Sequence, residues 1–199
     1  SSATQPPVYT LNDAKAGKQL QMIEENQTLS NNLKGFNLPT KEFSVLKTEK
    51  GIELNMWMMK PKDFDATKKY PVFMFQYSGP GSQQVNNDWN SGDDYWFASL
   101  TQKGYIVACV DGRGTGFKGA AFKKVTQKEL GKYEVIDQID AAKVLGSYSF
   151  VDKSRIGIFG WSFGGFMASN CILKGNDVFK MAIAVAPVTN WRFYDSIYT

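Results

Sequence analysis

The stretch Arg155-Ile-Gly-Ile-Phe-Gly-Trp-Ser-Phe-Gly-Gly-Phe-Met-Ala-Ser169 decides the fold. Residues 155–159 form a short apolar run suited to a buried strand, and residues 166–173 read as a helix. Between them stands Gly160-Trp161-Ser162-Phe163-Gly164-Gly165, a G-x-S-x-G sequence. In a strand-to-helix context this pattern is a nucleophile elbow, a turn so sharp that its backbone is strained and its neighbours must be small. Such a turn lifts the serine hydroxyl above the sheet, and the helix start directs backbone N–H groups at a reacting carbonyl. The plainer alternative is a glycine-rich turn whose serine merely caps the helix. The strand before it and the helix after it favour the elbow.

Outward from the elbow the same alternation continues. Residues 181–185 and 105–110 are short apolar runs, the second closing in Asp111-Gly112-Arg113-Gly114. Residues 133–145 place Val135, Ile136, Ile139, Ala142 and Leu145 at helical spacing, with Glu134, Asp137, Asp140 and Lys143 mostly on another face. A helix over 94–102 is closed by Gly104, and residues 70–77 form a continuous apolar run of the kind buried on both faces. Phe43, Val45, Ile52, Leu54, Met56 and Met58 alternate around Glu49-Lys50-Gly51, which predicts a β-hairpin. This order predicts an α/β fold with a mainly parallel sheet covered by helices. The first forty residues are polar, carry Pro6-Pro7, and read as a strand end and a connector.

A length of 199 residues suits one domain, or one domain with a piece of another. At 43% hydrophobic and 21% charged, the chain reads as a soluble globular protein, and a net charge of +4 is too mild to argue for nucleic acid. No apolar run reaches the ~18 residues of a membrane span, and no signal-peptide pattern opens the chain. Cys109 and Cys171 sit in apolar stretches and read as buried free thiols. Asn26-Gln27-Thr28 matches a glycosylation acceptor, a triplet that often arises by chance. No metal and no cofactor is expected. Histidine is absent altogether, which removes the commonest metal ligand and excludes a histidine-containing triad made by this chain alone. A serine hydroxyl needs a base, and in α/β-hydrolases the order is serine, then acid, then histidine. Asp177 lies in a Gly-Asn-Asp turn and Asp195 directly after the next strand, too early for the acid. The acid and base are therefore expected beyond Thr199, with both ends read as cuts through a longer protein.

The segments Tyr77-Ser-Gly-Pro-Gly-Ser-Gln83, Asp111-Gly-Arg-Gly-Thr-Gly116, Gly131-Lys-Tyr-Glu134, Gly160-Trp-Ser-Phe-Gly-Gly165 and Ala186-Pro-Val188 together resemble the prolyl oligopeptidase family of serine peptidases. Residues 191–199 resemble its dipeptidyl peptidase IV branch most. The resemblance implies an α/β-hydrolase fold, incomplete at its C-terminal end. It further implies that residues 1–40 are the end of a preceding β-propeller and a hinge, and residues 41–199 the first part of the hydrolase domain. It also implies roles: Ser162 as the acylated nucleophile, with Tyr77 offering its phenol to the oxyanion beside the Phe163 backbone N–H. Without the Ser-Gly-Pro that follows, Tyr77 reads as a half-buried strand-end tyrosine; with that segment the oxyanion role is preferred. Phe163, Val188, Trp191, Tyr194 and Tyr198 match a proline pocket, and flat rings suit a pyrrolidine. On spacing alone Trp191, Tyr194 and Tyr198 are the apolar face of a helix start. Phe163 departs from the tyrosine that the branch carries after the nucleophile.

The implied parent is a serine-type dipeptidyl aminopeptidase that takes peptides with proline or alanine at the penultimate position and releases Xaa-Pro or Xaa-Ala dipeptides through an acyl-enzyme. The resemblance implies export to the periplasm or cell surface and allows a homodimer. The paired glutamates that hold the substrate's amino terminus in that branch belong to its propeller and are absent here. This chain alone is expected to be inactive, with the segment 111–114 serving as a structural turn. Two other readings remain: another α/β-hydrolase of prolyl oligopeptidase, acylaminoacyl peptidase or esterase type, and a non-catalytic pseudo-hydrolase binding module.

Overall fold

The run Tyr70-Pro-Val-Phe-Met-Phe75 has five of its six side chains buried, and it forms a central strand because neither of its faces can be left to water. The computed structural model of the chain describes residues 1–36, 38–89 and 91–198. In chain order the elements are β1 (Tyr9–Asn12), β2 (Gln19–Glu24), α1 (Gln27–Leu33), β3 (Glu42–Lys47), β4 (Glu53–Met59), β5 (Tyr70–Phe75) and α2 (Ser91–Gln102). There follow β6 (Ile106–Asp111), α3 (Ala120–Lys124), α4 (Tyr133–Gly146), β7 (Val151–Trp161), α5 (Phe163–Lys174) and β8 (Met181–Val185). The main sheet has the order β3-β4-β6-β5-β7-β8. β3, β4 and β6 pair antiparallel, whereas β6, β5, β7 and β8 pair parallel. Three of the five pairings are parallel, so the sheet is mainly parallel as expected, with an antiparallel side at β3 and β4.

Helices cover both faces. On one, Val135 and Leu145 of α4 and Phe163, Met167 and Cys171 of α5 pack on Met74, Ala108 and Ile158. On the other, Phe97 of α2 packs with Trp57, Phe73, Phe75 and Val107. Cys109 and Cys171 are free and buried, as expected. No helix among the described residues is long and apolar enough to cross a membrane. The predicted hairpin forms, with Lys47 opposite Glu53 and Gly51 in the left-handed region at φ 80°. Phe43 and Val45 nevertheless lie on its exposed face, and Leu46 supplies the buried contact.

The largest departure from the pattern is α4. Its buried stripe is Glu134, Val135, Asp137, Gln138, Ala141, Ala142 and Leu145, while Ile136 and Ile139 are only half-buried. A helix whose polar residues face inward contradicts the binary reading, and the partners described below give the reason.

At the N-terminus β1 and β2 form a separate two-stranded sheet, followed by α1 and a 3-10 turn, Lys34–Phe36, where a strand end and connector were expected. Tyr9, Leu11, Leu20 and Ile23 remain exposed there. The Asn26 side-chain amide of the glycosylation triplet donates to the Pro7 carbonyl at 2.8 Å, so the nitrogen a glycan would need is already engaged.

β8 lies at the edge of the sheet, with Met181 and Ile183 exposed. An apolar edge strand templates pairing with a second chain, and a lysine there blunts it. Ile183→Lys is expected to reduce concentration-dependent association of this chain in sedimentation velocity while leaving its far-UV circular dichroism unchanged. Equal association of both proteins would exclude β8 as the sticky edge.

Candidate active site

β7 ends at Trp161 and α5 begins at Phe163, so Ser162 makes the turn alone. Its φ of 59° and ψ of −116° lie in a sparsely populated region that costs about 1–3 kcal/mol for a residue bearing a Cβ. Two backbone bonds hold it there: the Ser162 N–H donates to the Val185 carbonyl of β8 at 2.9 Å, and the Ser162 carbonyl accepts from Phe166 N–H at 3.0 Å. A Cβ on Gly160 would strike the Gly164 carbonyl and the Gln76 amide, which is why the motif requires glycine there. As the first residue of α5, Phe163 has an N–H that lies outside the helix's own ladder.

β5 and β7 are parallel neighbours with Phe75 opposite Phe159. Tyr77 and Ser162 therefore both emerge at the carboxyl ends of adjacent strands, where the chain passes to either side of β5. In open α/β sheets this is the place where ligands bind. The loop after Tyr77 is tied down from beneath. The Asp111 carboxylate accepts from the N–H groups of Gln84 (3.0 Å) and Val85 (2.8 Å), and Trp57 Nε1 donates to the Gln84 carbonyl. Asp137 receives the Arg113 N–H at 2.7 Å and its guanidinium at 2.6 Å, and that guanidinium lies over the Tyr133 ring. Asp111 and Arg113 thus tie loops together, as expected for a structural turn. Asp137 is buried because it is the acceptor for that turn.

Burial pushes the Asp111 carboxyl up to about 6, against the two backbone bonds that lower it. Between pH 5 and 7 the folded chain therefore binds more protons at Asp111 than the unfolded chain. This group's contribution to stability is present below its ordinary carboxylate range and is lost as pH rises through about 6. Asp111→Asn is expected to lessen the fall in unfolding free energy from pH 5 to 7 by on the order of 1 kcal/mol. Urea melts at both pH values test this, and identical slopes for both proteins would rule it out.

Beside the elbow the rings gather. Phe163 packs on Trp191 at 5.6 Å, on Phe166 at 5.5 Å and on Tyr77 at 6.1 Å. Trp191 stacks on Tyr198 at 5.6 Å, and Tyr194 meets both edge-on. Val188 is half-buried in the loop between β8 and the 3-10 turn Trp191–Phe193. That turn is a single one, and Tyr194 is already extended, so the rings converge without the helix that their spacing allowed. The Phe163 ring is only 2% exposed and forms the floor beneath Trp191 and Tyr198 instead of an open wall. Burial, followed by the neighbouring Tyr77 and Tyr194 phenols, pushes the Tyr198 hydroxyl up to about 12. A cavity of about 740 Å³ opens beside Trp191, Ile197 and Tyr198, rimmed by Lys123, Lys124 and Lys128.

Sequence reasoning passed over three buried polar side chains around Tyr77: Gln76, Ser78 and Gln138. The available signal was a glutamine closing an otherwise apolar strand. Among the described residues, no three histidine, cysteine or carboxylate side chains are grouped to hold a metal ion.

Residues 92–199 match the model of the prolyl oligopeptidase family. The chain is 47% identical over 187 residues to a protein of Podospora anserina named probable dipeptidyl-aminopeptidase B, covering 94% of this chain and 20% of that protein. It is 45% identical over the same length to a protein of that name from Arthroderma benhamiae, again covering 94% and 20%. The crystal structure of Porphyromonas gingivalis dipeptidyl peptidase 4 superposes with a TM-score of 0.95 at 48% identity, covering all of this chain and 28% of that one. The chain thus spans about a fifth of the length of the curated relatives it matches. With the elbow inside the matched residues and an α/β-hydrolase architecture around it, the chain belongs to the prolyl oligopeptidase family.

Proposed function

We propose that these residues are the nucleophile-bearing part of a serine dipeptidyl aminopeptidase that releases Xaa-Pro or Xaa-Ala from peptide amino termini. The observation that carries the reading is the strained Ser162 at the carboxyl end of β7, with Tyr77 beside it on β5's end and an aromatic cluster adjoining. In this reading Ser162 Oγ attacks the scissile carbonyl as a histidine base takes its proton. The carbonyl oxygen gains the electron pair and is received by the Tyr77 O–H and the Phe163 N–H. Collapse expels the amine, which takes the proton from the base, and leaves an acyl-serine that water then hydrolyses. Trp191, Tyr194 and Tyr198 hold the penultimate proline ring, with Phe163 beneath and Val188 alongside.

This chain contains no histidine, so the base and its acid come from the rest of a longer polypeptide. The fifth of their length that the curated relatives share with this chain supports that reading. Residues 1–40 then end a β-propeller and form its hinge, and residues 41–199 begin the hydrolase domain. The reading extends to a homodimer of the longer protein.

The test is turnover of a Gly-Pro anilide and a simple acyl ester by the full-length protein, with mass analysis after fluorophosphonate treatment. Preferential Gly-Pro cleavage with one label on Ser162 is the expected result. Ester turnover without Gly-Pro cleavage would assign another α/β-hydrolase, and no label would assign a pseudo-hydrolase.

A further inference from the structure

Tyr77 is flanked by Gln76 and Ser78, each only 1% exposed, and both join a chain of hydrogen bonds that runs in one direction. Gln138 Nε2, on α4 and wholly buried, donates to the Val110 carbonyl at 2.8 Å and to Ser78 Oγ at 3.3 Å. Ser78 Oγ donates to Gln76 Oε1 at 2.9 Å. Gln76 Nε2 in turn donates to the Gly164 carbonyl at 2.8 Å, two residues past the nucleophile. Bonds aligned in this way polarise one another and fix the orientation of every amide in the row.

The backbone agrees with the side chains. Ser78 sits in the left-handed region at φ 62°, a conformation a serine adopts only when its surroundings impose it. A Cβ on Gly164 would lie 2.6 Å from the Gln76 carbonyl oxygen and 3.2 Å from Tyr77 Cα, so the end of β5 and the first turn of α5 touch through their backbones. The network thus grips the residues on both sides of Tyr77. Apolar side chains would fill the same space without desolvating three polar groups. They would also avoid leaving Gln138 Oε1 without a partner among the described residues.

We propose that Gln76, Ser78 and Gln138 are positioning residues that aim the Tyr77 hydroxyl at the oxyanion formed over Ser162. The proposal rests on the reading of Tyr77 as an oxyanion donor. Gln138 explains in part why α4 buries a polar stripe: bonded to the Val110 carbonyl of β6, it fixes the loop that carries the donor.

The experiment is a double-mutant cycle in the full-length protein, read as kcat and KM on the Gly-Pro anilide. Ser78→Ala is made in the wild-type and in the Tyr77→Phe background, with Gln138→Met as a second route should Ser78→Ala fail to fold. If the network acts through the phenol, Ser78→Ala lowers kcat roughly 10-fold with KM within about two-fold. The same change alters kcat by less than about two-fold once the phenol is gone. Equal losses in both backgrounds, or no loss in the first, would overturn the positioning role while leaving Tyr77 as donor. A Tyr77→Phe protein with unchanged kcat would instead overturn the donor reading, and this proposal with it. A merely structural role shifts the melting temperature of both backgrounds alike and gives no such asymmetry.

Discussion

Ser162→Ala in the full-length protein is expected to lower kcat on a Gly-Pro anilide by about 10⁶-fold, the scale seen when a triad nucleophile is removed elsewhere. The elbow places one hydroxyl at the carboxyl end of β7, and no other serine stands in a strained strand-to-helix turn among the described residues. The substitution removes that hydroxyl while keeping a Cβ, so the backbone strain at φ 59° and its bonds to Val185 and Phe166 persist. Melting temperature should therefore change little, which separates lost chemistry from lost folding. Residual turnover above a few per cent, or a fluorophosphonate adduct on the variant, would place the nucleophile elsewhere.

Tyr77→Phe should lower kcat by about 10²–10³-fold with KM nearly unchanged. A donor aimed at developing negative charge acts in the transition state and contributes little to holding the substrate, so its loss falls on kcat. The ring that packs on Phe163 at 6.1 Å is retained, so the aromatic cluster should keep its shape. A variant with raised KM and unaltered kcat would make Tyr77 part of the binding surface only.

Much of this architecture was legible one residue at a time. Residues 70–77 and 105–110 announce buried strands because an apolar run has no face to give to water, and the strands form at Tyr70–Phe75 and Ile106–Asp111. The elbow was legible because the pattern Gly160-Trp-Ser-Phe-Gly-Gly165 has few steric solutions. Asp111 and Arg113 stood out as a turn, and their acceptors and donors lie where a loop-tying role requires. The inward polar face of α4 was not legible. Periodicity sorts residues by hydropathy, and Asp137 and Gln138 score as solvent-facing until Arg113 and Ser78 are brought to them from elsewhere in the chain.

The same division holds at the site. By itself the sequence determined the elbow around Ser162, the strand that precedes it, the alternation that builds a sheet, and the want of any histidine. These are local properties, set by backbone sterics and by side-chain chemistry within a dozen residues. Only the tertiary structure decided that β5 lies between β6 and β7, which brings Tyr77 to Ser162 across 84 intervening positions. It alone set Phe163 beneath Trp191 and Tyr198, and it alone linked Gln138 through Ser78 and Gln76 to Gly164. Strand order and buried hydrogen bonds depend on which surfaces exclude water together, and no window of sequence contains both partners.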